Sequence, residues 1–199
     1  MPNIEPRPRA ELGEFDEFFD EIESLAGYIP VSYLTLGHQP EFLRAMIGVS
    51  SAMRTMTDVD RGLKVLMSHL SSYVNGCRFC EAHTAKTAVG AGVDEEKLLA
   101  VWEFETSPLF DDAERAALRL ARDMAIQPNE VTPQHFDDLR AHFDDRQITE
   151  MVITVSMFGF WNRWNDTMAT ELEEPVHKFA SALLGGRGWE GSRHRRSTP

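Results

Sequence analysis

Apolar residues recur every three or four positions in one segment of this 199-residue chain after another, and strand-like alternation is nearly absent. That periodicity predicts an all-α fold. Glu11 to Ala26 puts Phe15, Phe18, Phe19, Ile22 and Leu25 on one amphipathic stripe. Gln39 to Arg54 is helical with Phe42, Met46 and Val49 in register, and Gly27 to Gly37, holding Pro30, reads as a loop or short turn. Asp58 to Asn75 aligns Leu63, Leu66, Met67, Leu70 and Val74, with Thr57 and Asp60 as a capping arrangement.

Asn75-Gly76 breaks that helix, and a new one starts at about Cys77, running to Val89 before Gly90-Ala91-Gly92. Asp94 caps a helix to about Phe104. Asp111 with Glu114 opens another to Ile126, whose alanines imply close helix–helix approach. Thr132-Pro133 starts a helix that ends near Phe143. Gln147 to Ala169 is long, and Pro175 restarts a last helix to Leu184. With no repeat and no dividing linker, the reading is a single-domain bundle of about nine helices packed in antiparallel pairs. Residues 1–10 are an irregular N-terminus, 11–184 the helical domain, and 185–199 a basic C-terminal tail.

Charge narrows the function. The net charge of −12 would repel a phosphate backbone, which excludes nucleic acid as a partner. The tail is the exception, with four arginines and His194 between Arg187 and Arg196, and reads as a solvated end. No apolar run reaches the roughly 18 residues of a membrane span, and no h-region follows the N-terminus. The expected location is the cytoplasm.

The chain has two cysteines, Cys77 and Cys80. Placed so close, they cannot staple a secreted fold, and in a cytosolic protein they point to redox or metal chemistry. On a helix each residue turns by about 100°, so Cys77, Cys80 and His83 share a sector of roughly 120°. At the helix start, free backbone N–H groups and the macrodipole favour a thiolate. His83, one turn on, could move the thiol proton. A sulfenic acid on one sulfur would then condense with the other into a disulfide. Zinc held by Cys77, Cys80, His83 and His69 is an alternative, although the usual second ligand pair is missing. A pair of inert buried cysteines is another.

The run Asn75-Gly76-Cys77-Arg78-Phe79-Cys80-Glu81-Ala82-His83 resembles the signature of the AhpD-like alkylhydroperoxidase and carboxymuconolactone decarboxylase superfamily. The stretches Trp102 to Phe110 and Phe158 to Asp166 are also similar, so the likeness runs from about residue 35 to about 170. The resemblance implies an AhpD-like all-α fold, a homo-oligomer (trimer or hexamer), and thiol-dependent reduction of a hydroperoxide substrate. Cys80 would be peroxidatic, Cys77 would resolve, and an external thiol reductant, protein or small thiol, would restore both. No cofactor and no metal are implied. Two departures stand out. Well-known peroxidases of the group place the histidine four residues after the second cysteine, whereas His83 follows Cys80 by three. They also keep a glutamate twelve positions before the first cysteine, where this chain has Val65. His69, one turn after Val65 on the same helix, is the candidate substitute.

Asn162, on the apolar stripe of the long helix, with Asn165 and Trp161, is the candidate substrate-pocket set, and Glu81 reads as a solvated charge. The leading reading is a peroxiredoxin-like oxidoreductase. A thiol–disulfide exchanger or redox sensor and a non-enzymatic helical oligomer are the rivals.

Overall fold

The computed structural model describes residues 1–195. It contains ten α-helices: α1 (Asp16–Ala26), α2 (Val31–Leu36), α3 (Pro40–Thr55), α4 (Arg61–Val74), α5 (Arg78–Gly90), α6 (Glu95–Leu99), α7 (Asp112–Ala125), α8 (Pro133–Arg140), α9 (Asp145–Met168) and α10 (Glu174–Leu184). Short 3-10 turns join several of them, and no strand occurs among the described residues. The all-α class and the single bundle are as the periodicity predicts. None of the described helices is long and apolar enough to cross a membrane.

Local chemistry sets most boundaries. Asp60 caps α4 by accepting the Leu63 N–H at 3.0 Å, so the cap is Asp60 itself rather than Thr57. Asp111 and Glu114 form the expected capping box at α7, and Asp144 with Gln147 forms another at α9. Pro30 stands at the N-cap of α2, where its lack of an N–H costs nothing, so the segment read as a loop holds a helix of one and a half turns.

The bundle centres on α4, which packs against α5, α7 and α9, while α5 also packs against α10. Leu63, Leu66, Met67 and Leu70 of α4 are buried. Each such side chain contributes about 1.5–3 kcal/mol of hydrophobic stabilisation. Ala116, Ala117 and Ala121 are the buried small residues that let α7 approach. A second, aromatic cluster joins Phe15, Phe18, Phe19, Leu36, Leu43 and Met46, and Trp161 packs against both clusters.

The expected stripes need three corrections. Leu25 is 72% exposed, and Phe42 and Val49 also face solvent, because α3 meets the second cluster through Leu43, Met46 and Ile47. The tail is also misread as a solvated end. Up to Arg195 it folds back, with Trp189 and His194 buried, since two aromatic side chains outweigh the scattered arginines. Arg196 lies outside the described residues. The N-terminus, though irregular, is tied down where Asn3 donates to the carbonyls of Thr167 and Met168 at the end of α9.

Candidate active site

Gly76 adopts a φ of +72°, a left-handed turn that a side chain would resist. It swings the chain from α4 into α5, and the Cys77 N–H donates to the Ser72 carbonyl at 3.0 Å. Cys77 thereby becomes the N-cap of α5. Its sulfur accepts the Cys80 N–H at 3.5 Å, the task a serine or aspartate oxygen does in most caps. Both cysteines are buried and free.

The Cys80 sulfur lies one turn into α5 and receives the Asn165 amide at 3.5 Å. Burial pushes the Cys80 thiol well above its usual range, and the neighbouring Cys77 sulfur adds to that. The Asn165 amide works the other way. The resting Cys80 is therefore a neutral thiol. The helix start alone points toward a thiolate, but here the loss of water outweighs the exposed N–H groups.

His83 lies over the first turn of α5, stacked on Phe79 with ring centroids 4.2 Å apart. Its Nδ1 is 2.9 Å from the Phe79 carbonyl. A carbonyl only accepts, so Nδ1 carries a proton. Nε2 then faces the Glu173 carboxylate at 2.8 Å, within ion-pair range though not aligned as a hydrogen bond. The other Glu173 oxygen accepts the Val31 N–H at 2.7 Å, which fixes the carboxylate at the start of α2. Tyr28 meets the His83 ring edge-on, and burial together with the Glu173 charge keeps its phenol protonated.

His69 is fully buried on α4. Its Nδ1 is 2.9 Å from the Thr84 hydroxyl, which itself donates to the Cys80 carbonyl at 2.7 Å. His69 thus reaches the main chain of Cys80 through one hydroxyl. Burial lowers its pKa to about 4, so it is neutral at pH 7.

The other residues singled out from sequence separate. Asn165 serves the Cys80 sulfur. Asn162 is buried on the same face of α9, and neither polar atom of its side chain has a hydrogen-bond partner among the described residues. Trp161 stands edge-on to Tyr33, between the two apolar clusters. A cavity of about 1010 Å³ does open beside His83 and Thr84, but Tyr28, Val65 and Phe158 help to wall it rather than Trp161, Asn162 or Asn165. Glu81 is buried and paired with Arg78 at 2.7 Å, not solvated. No group of three or more His, Cys, Asp or Glu among the described residues is placed to hold a metal ion. The alternative zinc set is not brought together, because His69 turns to Thr84 and His83 to Glu173.

Sequence reasoning missed Glu173, Tyr28, Trp189 and His194. The Trp189 indole donates to the Arg78 carbonyl at 3.3 Å, and His194 donates to the Thr170 carbonyl at 2.8 Å with its ring 5.8 Å from Phe79. No motif marks any of them, and their distance along the chain from the cysteines hides them.

A family model described as the carboxymuconolactone decarboxylase family matches residues 40–123. The uncharacterized protein YdfG of Bacillus subtilis (strain 168) is 25% identical over 135 residues, which is 67% of this chain and 89% of that one. Among solved structures, the debrominase Bmp8 superposes with a TM-score of 0.83 at 27% identity, covering 91% of this chain and 97% of its own. A cysteine-to-alanine variant of Bmp8 in complex with 2,3,4-tribromopyrrole gives a TM-score of 0.84 at 26% identity, over the same shares. An alkylhydroperoxidase AhpD core protein from Ralstonia eutropha JMP134 gives 0.79 at 21%, covering 95% and 98%, a likeness of fold.

Proposed function

Because the chain belongs to the AhpD-like alkylhydroperoxidase and carboxymuconolactone decarboxylase superfamily, we propose that it is a thiol peroxidase whose cysteine pair supplies two electrons to a hydroperoxide. The observation that carries the reading is the placement of Cys77 as the cap of the turn that holds Cys80, with both thiols free. Cys80 gives up its thiol proton and its sulfur attacks the terminal oxygen of ROOH. The O–O bond breaks, leaving Cys80–SOH and ROH. His83 with Glu173 carries the proton to the departing oxygen. Cys77–SH then condenses with the sulfenic acid, forming a disulfide and water. An external dithiol or two small thiols restore both cysteines and leave oxidised. His69 is a positioning residue, acting on Cys80 through Thr84. The active assembly is a homo-oligomer, and the site requires no organic cofactor.

The likeness to the debrominase Bmp8 supports a second reading with the same electron count. A Cys80 thiolate takes bromine from a brominated aromatic ring, which gains a proton. Cys77–SH then displaces bromide to form the disulfide.

Treatment with cumene hydroperoxide is expected to remove both free thiols and lower the mass by about two protons. Cys80→Ser should abolish reductant-driven turnover, while Cys77→Ser should stop after one oxidation. Thiols that survive the peroxide would overturn the peroxidase reading. Disulfide formation with 2,3,4-tribromopyrrole alone would favour the second reading.

A further inference from the structure

The cavity beside His83 has walls that do not share the charge of the molecule. In a chain of net charge −12, it is lined by Arg54, Arg61, Lys64 and Lys86 against a single carboxylate, Asp60. Three of these five are committed elsewhere. Arg54 pairs with Glu21 at 3.4 Å. Lys64 pairs with the buried Glu150 and donates to the Met56 carbonyl. The Asp60 carboxylate caps α4. Arg61 and Lys86 have no carboxylate partner among the described residues. The Lys86 ammonium instead sits 5.3 Å above the Tyr28 ring, which holds its charge over the cavity.

Leu25, Met53, Met56, Val65 and Phe158 supply apolar walls, interspersed with serine and threonine hydroxyls. Leu25 is the most exposed leucine of the molecule. The geometry has a direction. Helices α4 and α5 run antiparallel, so Arg61 at the start of α4 lies near the end of α5. A Cβ on its neighbour Gly62 would stand 3.1 Å from Val93. From His83 to Gly90, at the last turn of α5, the axis rises about 10 Å. Arg61 therefore lies toward the end of α5, while Lys86 stands one turn past His83 and over Tyr28, with apolar walls beside both cations.

We propose that this cavity binds an amphipathic carboxylate, with its head drawn to Arg61 and Lys86 and its apolar body along Met53, Val65 and Phe158. Two separate side-chain cations suit a singly charged head, and the apolar walls suit an aliphatic or aromatic body. The proposal rests on the peroxidase reading, since it makes the substrate a hydroperoxide that also carries a carboxylate.

Octanoate and its uncharged isostere octanamide test it by calorimetric titration, which needs no turnover. At low salt octanoate is expected to bind at least about tenfold more tightly. That advantage should shrink at 1 M salt, where charges are screened within about 3 Å. Arg61→Gln and Lys86→Gln should each weaken octanoate binding about fivefold, by removing one charge-assisted contact. Arg61→Lys and Lys86→Arg should keep most of it, and far-UV circular dichroism checks that every variant folds. Equal binding of the two probes, or a preference for octanoate that survives in the double glutamine variant, would overturn the proposal. The two readings fail separately. Selective octanoate binding by a protein that reduces no hydroperoxide would remove the peroxidase activity and leave the anion site. Turnover of cumene hydroperoxide without octanoate selectivity would do the reverse.

Discussion

Two histidines touch the cysteine helix, and they are held in opposite ways. His69 enters from α4, fully buried, with a threonine hydroxyl as its partner and one ring nitrogen unsatisfied. His83 sits on α5 itself, at the wall of a cavity, with a carboxylate against one nitrogen and a backbone carbonyl against the other. Both have Nδ1 occupied by a proton directed at an oxygen, so the tautomer does not separate them. The negative charge and the open space do. A buried imidazole with only neutral neighbours sheds its proton and becomes a rigid spacer. His83, beside a carboxylate and at a cavity wall, is placed where a proton could pass between Glu173 and the cavity.

The largest expected effect divides the pair by rate. His83→Ala should lower kcat/KM for hydroperoxide about 10²-fold or more, the usual weight of a proton-transfer group. His69→Gln should cost less than about tenfold, because it acts only through position. Steady-state kinetics on both variants would break the contrast if the two losses were equal.

The next effect divides the pair by acid. The folded pKa of His69, about 4, lies below the 6.5 of a free histidine, so the unfolded chain takes up its proton first. Its contribution to stability is present above pH 6.5 and is lost as pH falls toward 4, by about 3 kcal/mol. Urea unfolding at pH 7, 5.5 and 4.5 should show this slope in the native sequence and a flatter one in His69→Gln. An identical slope in both would place the acid-sensitive group elsewhere.

The smallest effect concerns the sulfur that both histidines serve. Asn165→Ala removes the one neighbour that draws the Cys80 thiol downward. Iodoacetamide should then alkylate Cys80 more slowly at a given pH above 8, with the rate profile displaced to higher pH. A profile displaced the other way would mean that the amide does not stabilise the thiolate.

The legible parts of the molecule are those that local chemistry decides. Asn75-Gly76 marked the turn, and the turn made Cys77 a cap. The capping pairs at Asp111 and at Thr132-Pro133 likewise sit where their hydrogen bonds require. What was not legible depends on which face meets which. Phe42 and Val49 share a stripe with the buried Met46, yet the face that α3 buries is centred on Leu43, Met46 and Ile47, which leaves them to one side of it. Pro30 reads as a breaker in the sequence, because nothing in its neighbourhood says that it heads a helix. In the site, His83 was visible from its spacing, whereas its partner Glu173 comes from an element ninety residues later. Glu81 looked solvated until Arg78 and the bundle closed over it. The tail showed its arginines more plainly than the two aromatic residues that anchor it.

Trp189 has one further consequence. Its indole N–H is bonded to the Arg78 carbonyl, the middle peptide of the three between the cysteines. Closing a disulfide between Cys77 and Cys80 acts on the peptides between them, Arg78 among them. The protein thus contains an emitter in contact with the segment that the proposed chemistry oxidises. With Trp102, Trp161 and Trp164 replaced by phenylalanine, the remaining fluorescence would report the opening and closing of the proposed disulfide in real time, with no dye.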